Sequence, residues 1–220
     1  YASTSSVYGV SDAPEVTEEH PLVPLTDYNK YKGLSEPLLL RHHQSPEFTT
    51  VIIRPATVCG YSPRMRFDLS VNILTNHAVN NRVITVFGGE QKRPNIHIDN
   101  IAELYVQMLE FPDHLIAGET FNAGHQNHTI SEIAQIVRVV VEQEIPDQGP
   151  ISIKTTPSDD KRSYHVSSKK IAKKLGWKPK RTVEDAVRDV CRAIMDGRLP
   201  DSIEDDRYIN VRSIQRVGLK

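Results

Sequence analysis

The sequence predicts an α/β fold, in which the strands of a parallel sheet alternate with amphipathic helices. Thr49–Arg54 is an apolar, β-branched run, as expected of a central strand in a parallel sheet. Residues 101–111 and 183–194 carry apolar side chains at helical spacing. Strands that alternate with helices along one chain are typical of this fold class.

Length, charge and cysteine content narrow the class of protein. The 220 residues suffice for one domain, or for one large domain with a small lobe. The formal net charge is −1, so we expect neither a nucleic-acid nor a membrane partner. Cys59 and Cys191 stand in apolar contexts, which favours two buried thiols over a disulfide. We expect a cytoplasmic protein, because no segment has the pattern of a signal peptide or membrane span.

Tyr28 and Lys32 form the first candidate for chemistry. Residues four apart on a helix lie on one face, about one turn apart. A lysine ammonium beside a phenol favours the phenolate. This spacing therefore indicates a general acid/base that could exchange a proton with a sugar or alcohol hydroxyl.

Two further motifs accompany this pair: Ser3–Gly9, with the sequence STSSVYG, and the strand that ends in Arg54-Pro55. Together they resemble the extended short-chain dehydrogenase/reductase family of NAD-dependent nucleotide-sugar epimerases and dehydratases. The resemblance implies a Rossmann-type doubly wound parallel sheet with a small α+β substrate lobe. It also implies a catalytic set of Thr4, Tyr28 and Lys32.

The same resemblance implies that the chain is the C-terminal portion of a longer enzyme, because it contains no Gly-rich phosphate-binding loop. We expect a partial sheet without its N-terminal half, and a fragment that is inactive alone. Residues 1–60 would supply the catalytic part of the Rossmann-type domain. Residues 61–200 would form the substrate lobe, interleaved with returning strands and helices, and residues 201–220 would be an irregular polar tail.

Cofactor and substrate contacts follow from the family's motifs. Tyr28, Lys32 and Pro55 would contact NAD, although NADP stays open. Thr57, a further candidate for substrate binding, stands where the family carries Asn. Its hydroxyl can still donate one hydrogen bond, but the geometry of the amide is lost. Arg93 and Arg162 would bind the diphosphate of a nucleotide-sugar, because a guanidinium forks onto phosphate oxygens.

The helix that begins near Asp27 contains Pro37, which should kink or break it by removing one backbone hydrogen bond. The three leucines after the proline, Leu38 to Leu40, are expected to bury against the sheet.

The reaction implied by the resemblance is 4-epimerisation of a nucleotide-sugar through transient oxidation at C4. Dehydratases of the family carry Asp-Glu after the threonine, whereas this chain has Ser5-Ser6. A nucleotide-sugar reductase or dehydrogenase, and a dehydratase, stay open as alternatives. So does a non-catalytic protein that binds a nucleotide-sugar or NAD(P). We expect a homodimer and no metal site.

Overall fold

The computed structural model describes residues 1–44, 48–158, 163 and 165–218. Its helices are α1 (Asp27–Leu40), α2 (Ser70–Asn81), α3 (Ile98–Gln107), α4 (Asp113–Ile116), α5 (Ile130–Glu144), α6 (Lys169–Leu175), α7 (Val183–Met195) and α8 (Asn210–Arg216). Its strands are β1 (Val51–Pro55), β2 (Thr57–Cys59), β3 (Val83–Phe87), β4 (Lys92–His97), β5 (Glu119–Ala123), β6 (Gln126–Thr129) and β7 (Ser152–Thr156). Four short 3₁₀ helices complete the order: Ser5–Tyr8, Arg41–Gln44, Pro146–Gln148 and Asp206–Tyr208.

The chain folds into two compact units whose segments alternate along the sequence. The first comprises Tyr1–Val58, Gln91–Asn127 and Lys161–Lys180, and the second Cys59–Glu90, His128–Asp160 and Arg181–Lys220. The predicted division at residues 60 and 200 is a different partition, and it stays a prediction.

The first unit contains the parallel pair β1–β5, in which Val51 lies opposite Glu119 and Pro55 opposite Ala123. The start of the chain extends this pairing, because Ala2 forms a parallel bridge with Ile53. Three segments thus run in the same direction and end at one edge, which is where open α/β sheets bind ligands. Behind them lies a core of Ile53, Ile96, Ile101, Leu104, Met108, Phe121, Ile171 and Trp177.

In the second unit, α2, α5 and α7 pack with the parallel pair β3–β7. Their buried side chains are mostly β-branched, as at Val71, Ile133 and Val187.

β2, β4 and β6 form a separate three-stranded sheet in the order β2–β4–β6. The parallel pairings with intervening helices confirm the predicted α/β class.

Both cysteines are free and buried, as predicted. Desolvation raises the pKa of the Cys59 thiol to about 12 and that of Cys191 to about 11. Neither thiol is suited to act as a nucleophile, because the reactive thiolate is disfavoured.

The segment after Pro200 differs from the irregular tail that its composition indicates. It forms a 3₁₀ turn and α8, and Tyr208 is buried against Phe67 with the ring centroids 5.3 Å apart. The Tyr208 hydroxyl donates to the carbonyl oxygen of Pro200 at 3.0 Å. Tyr208 thus helps to fix this segment, together with the hydrogen bonds between Ser202 and Asn76.

Of the kink or break expected at Pro37, the break does not occur, because α1 continues to Leu40. The kink stays a prediction. The helix continues although Pro37 lacks an N–H. The Pro37 carbonyl oxygen still accepts a hydrogen bond from the backbone N–H of Arg41. The leucines that follow are not buried as expected. Leu38 is 56% exposed, and Leu39 and Leu40 are only half-buried.

Candidate active site

The structure brings Tyr28 and Lys32 together on the first turns of α1. Thr26 caps this helix, and its side chain accepts a hydrogen bond from the backbone N–H of Asn29. The cap sets the helix start so that Tyr28 lies in its first turn. The Lys32 Nζ atom lies 5.9 Å from the centroid of the Tyr28 ring, and Tyr28 is 59% exposed. A phenol and a cation are thus adjacent and accessible to a ligand.

Lys32 also connects α1 to the first segment of the sheet. Its Nζ atom donates a hydrogen bond of 2.7 Å to the carbonyl oxygen of Ala2 and lies 5.0 Å from the Tyr1 ring centroid. Ala2 in turn pairs with Ile53 of β1. Among the described residues, the ammonium donates to this one carbonyl, which leaves N–H donors for a ligand.

Thr4 lies just past this pairing, at the carboxyl end of the segment. It is buried and caps the 3₁₀ helix that follows. Its Oγ1 atom accepts from the backbone N–H of Ser6 at 3.2 Å and lies 2.6 Å from Ser6 Oγ. A substrate oxygen that bonds to Thr4 would therefore have to share this hydroxyl with Ser6.

Pro55 and Thr57 lie where β1 ends and β2 begins, and both are half-buried. Pro55 is opposite Ala123 in the β1–β5 register. Ala2, Pro55 and Ala123 therefore lie in parallel segments that end at the same edge. The predicted contact roles of Pro55 and Thr57 stay predictions.

Arg93 is the second residue of β4 and is half-buried. Its Nη1 atom donates to the carbonyl oxygen of Lys92 at 3.0 Å, and its own carbonyl accepts from Asn95 Nδ2 at 2.7 Å. Arg162 lies outside the described residues. A clamp formed by the two arginines stays a prediction.

A buried ion pair between Glu36 and Arg54 is the main feature that the sequence did not reveal. Glu36 is 2% exposed and Arg54 is 6% exposed. Two parallel contacts join them: Arg54 Nη2 to Glu36 Oε2 at 2.6 Å, and Arg54 Nε to Glu36 Oε1 at 3.0 Å. Burial disfavours the guanidinium charge, but the hydrogen bonds and charge of Glu36 outweigh it and raise the pKa of Arg54.

This pair belongs to a larger polar network. Ser3 Oγ donates to Glu36 Oε1 at 2.5 Å, and Arg54 Nη1 donates to the Tyr8 hydroxyl at 2.7 Å. The Tyr8 hydroxyl then donates to Asn122 Oδ1, also at 2.7 Å. Burial raises the pKa of Tyr8, so this phenol is a neutral structural donor. One signal was present in the sequence: an arginine within an apolar strand needs a buried acidic partner.

Tyr105 of α3 is a second tyrosine that interacts electrostatically with Tyr28. Burial, and then the charge of an ionised Tyr28, raise the pKa of Tyr105 to about 12. Tyr105 also lines a largely apolar cavity of about 530 Å³, together with Tyr1, Phe48 and Met108. Tyr105 therefore stays a neutral phenol. Tyr28 is the candidate for proton transfer because it is exposed and adjacent to Lys32.

Comparisons with known proteins find a matching family model and several relatives. A sequence model described as the NAD dependent epimerase/dehydratase family matches residues 1–124. A Bacillus subtilis (strain 168) protein named uncharacterized UDP-glucose epimerase YtcB is 36% identical over 141 residues, 64% of this chain and 42% of that protein. UDP-glucose 4-epimerase of the same strain is 26% identical over 87% of this chain and 61% of its own length.

Dehydratases match over similar lengths. The dTDP-glucose 4,6-dehydratase 1 of Escherichia coli (strain K12) is 26% identical over 86% of this chain and 55% of its own length. The chain thus spans between 42% and 61% of the length of these three curated relatives.

Among the described residues, none of the helices is long and apolar enough to cross a membrane.

Solved structures show the same fold. UDP-glucuronic acid 4-epimerase from Bacillus cereus, in complex with UDP-glucuronic acid and NAD, matches with a TM-score of 0.73 and 26% identity over 89% of this chain and 60% of that one. The dTDP-glucose 4,6-dehydratase of Bacillus anthracis str. Ames, in complex with NAD, matches with a TM-score of 0.71 and 18% identity over 96% and 63%. The sheet is therefore of the Rossmann type.

Proposed function

Since this chain belongs to the NAD dependent epimerase/dehydratase family, as its motifs predict, we propose that the protein epimerises a nucleotide-sugar at C4. The observation that supports the proposal is the adjacent, accessible pair of Tyr28 and Lys32, whose ammonium bonds to the carbonyl oxygen of Ala2 in the first parallel segment. The relatives named above include both 4-epimerases and 4,6-dehydratases. The choice between these reactions therefore depends on residues of this chain.

In the proposed reaction, the Tyr28 oxygen takes the proton of the C4 hydroxyl and later returns it. Lys32 holds its ammonium beside this phenol, with Nζ 5.9 Å from the ring centroid. Thr4 donates or shares a hydrogen bond with the same sugar oxygen. NAD, when bound, supplies a reversible hydride acceptor. The Lys32 ammonium would donate to ribose hydroxyls of this cofactor, and Pro55, which offers no N–H, would line its site at the end of β1.

The residues after Thr4 favour epimerisation over dehydration. Elimination of water needs an acid that protonates the leaving hydroxyl and a base that removes a carbon-bound proton. Ser5 and Ser6 occupy the positions where dehydratases of this family carry two acids, and a hydroxyl is far too weak an acid for that work. Ser5 is moreover buried, and Ser6 is engaged with Thr4.

A panel of UDP- and dTDP-hexoses, incubated with the whole protein and NAD, tests the proposal by NMR analysis of the products. We expect the C4 epimer to form without net production of NADH. A 4-keto-6-deoxy product would assign the protein to the dehydratases, and stoichiometric NADH would assign it to the dehydrogenases. Tight nucleotide-sugar binding without turnover would leave a binding protein as the function.

Nucleotide-sugar recognition is assigned to Arg93, Arg162 and Thr57. Charge-assisted hydrogen bonds from two guanidinium groups to a diphosphate would supply most of the polar binding energy. Thr57 offers one hydroxyl where the family's asparagine offers an amide, so it contributes less to this recognition.

A further inference from the structure

We propose that Glu36 and Arg54 are positioning residues that hold Tyr28 and Lys32 in register with the strand end bearing Thr4. The inference rests on the proposed function for its effect on turnover, but the geometry it describes can be measured separately. Neither Glu36 nor Arg54 is proposed to touch the substrate.

Glu36 is placed to control the orientation of α1. It lies four residues after Lys32 and eight after Tyr28, so the three side chains project from the same side of the helix. Its Oε1 atom accepts hydrogen bonds from Ser3 Oγ and Arg54 Nε, while Oε2 accepts from Arg54 Nη2. One carboxylate thus ties α1 both to β1 and to the residue that precedes Thr4.

The partner of this carboxylate is itself held rigidly. Arg54 Nη1 donates to the Tyr8 hydroxyl at 2.7 Å and to the carbonyl oxygen of Glu18 at 3.3 Å. Glu18 Oε1 accepts from the backbone N–H of Asn122 on β5 at 2.7 Å. The planar guanidinium is therefore fixed from several sides, and a buried network that is satisfied in this way is rigid.

Stability alone does not account for a buried ion pair at this point. Such a pair generally stabilises a fold no better than apolar residues of similar volume, because both charges must lose their hydration. The same helix leaves Leu34 and Leu38 more than half exposed while it buries Glu36. Hydrogen bonds depend on direction, whereas apolar contacts do not. The pair therefore fixes how α1 is rotated and shifted relative to the strand ends.

The decisive variant replaces both partners at once, Glu36→Leu with Arg54→Met, in the whole protein. Removing both charges together avoids an unpaired buried ion, so the urea midpoint should fall only by the hydrogen bonds that Ser3 and Tyr8 lose, and by less than in either single variant. We expect kcat to fall by about 10²-fold, the loss typical of a misplaced catalytic group, while KM changes little. Glu119→Gln, which removes an acid of β5 outside the network, is the matched control and should keep the wild-type kcat. A stable double variant with wild-type kcat would overturn the proposal.

A second measurement does not depend on turnover. Acetylation of lysines, followed by mass spectrometry, reports whether the Lys32 ammonium is still held by the Ala2 carbonyl. We expect Lys32 to react faster in the double variant, while the exposed Lys180 reacts at the same rate in both proteins. Unchanged Lys32 reactivity would overturn the proposal even if the protein proved not to be an epimerase.

Ser3→Ala provides the test if the double variant does not fold. This change removes the hydroxyl link to Glu36 and keeps the ion pair intact. Faster labelling of Lys32 and a lower kcat are expected again, at an unchanged urea midpoint. Wild-type values for both would show that the network only supports the fold.

Discussion

The Lys32 ammonium donates a 2.7 Å hydrogen bond to the carbonyl oxygen of Ala2, thirty positions earlier in the chain. This bond joins the helix that carries Tyr28 to the segment that leads into Thr4. The Tyr28 phenol and the Thr4 hydroxyl of the proposed active site thus lie on two segments that this one hydrogen bond connects. The predictions below follow from that arrangement and from the packing around it.

Tyr28→Phe should abolish most of the turnover of the whole protein and leave nucleotide-sugar binding near the wild-type value. Phenylalanine keeps the ring but loses the oxygen that would exchange a proton with the C4 hydroxyl. Removal of a general acid/base costs roughly 10²- to 10⁴-fold in rate. Steady-state kinetics together with calorimetric titration of the nucleotide-sugar separate the two effects. An unchanged kcat would remove Tyr28 from the mechanism.

The 220-residue chain by itself should not bind NAD tightly. It contains no Gly-rich loop that could place a pyrophosphate at a helix N-terminus. Titration calorimetry of the isolated chain should therefore give only weak heats with NAD. A dissociation constant in the micromolar range would mean that the residues present form a more complete cofactor site than we propose.

Arg93→Ala and Arg162→Ala should each raise KM for the nucleotide-sugar and leave kcat nearly unchanged. A guanidinium that binds a diphosphate equally in the ground and transition states contributes to binding alone. Lysine at the same positions should restore only part of the affinity, because an ammonium cannot bind two oxygens as a planar fork. If neither change moves KM, the arginines are surface charges.

Glu119 should make the fold less stable in acid. Although burial acts in the opposite sense, its contacts with Lys170 and Lys174 lower the pKa of Glu119 below its ordinary value. The unfolded chain then binds more protons, so the contribution is present above the unfolded pKa and is lost as the pH falls through the folded one. Urea unfolding at pH 7 and at pH 3 should show a larger loss for the wild type than for Glu119→Gln.

Tyr208→Ala should destabilise the second unit by about 3 kcal/mol, since removal of a buried aromatic ring leaves a cavity. The ring packs against Phe67, and its hydroxyl bonds to Pro200. Thermal unfolding of the chain measures the change, with Val217→Ala as an exposed control in the same C-terminal segment. An equal, small effect of both substitutions would show that the segment after Pro200 is not part of the fold.

The sequence by itself determined those features that depend on neighbouring residues. The helical spacing of apolar residues and the β-branched runs were sufficient to predict the α/β class, because each kind of element places its side chains at a regular period along the chain. The pairing of Tyr28 with Lys32 was visible for the same reason: a separation of four residues is one helical turn. Family motifs added the Rossmann-type sheet and the family itself, which the comparisons confirm.

Only the tertiary structure decided which polar residues lie inside. Glu36 and Arg54 are 18 positions apart, and Tyr8 reaches Asn122 across 114 positions. No local pattern encodes such distances, because they depend on how strands and helices pack. The structure therefore buries a glutamate of α1 and exposes Leu38, where the sequence predicted buried leucines. The buried hydrogen bonds hold α1 in one orientation, because hydrogen bonds depend on direction and apolar contacts do not.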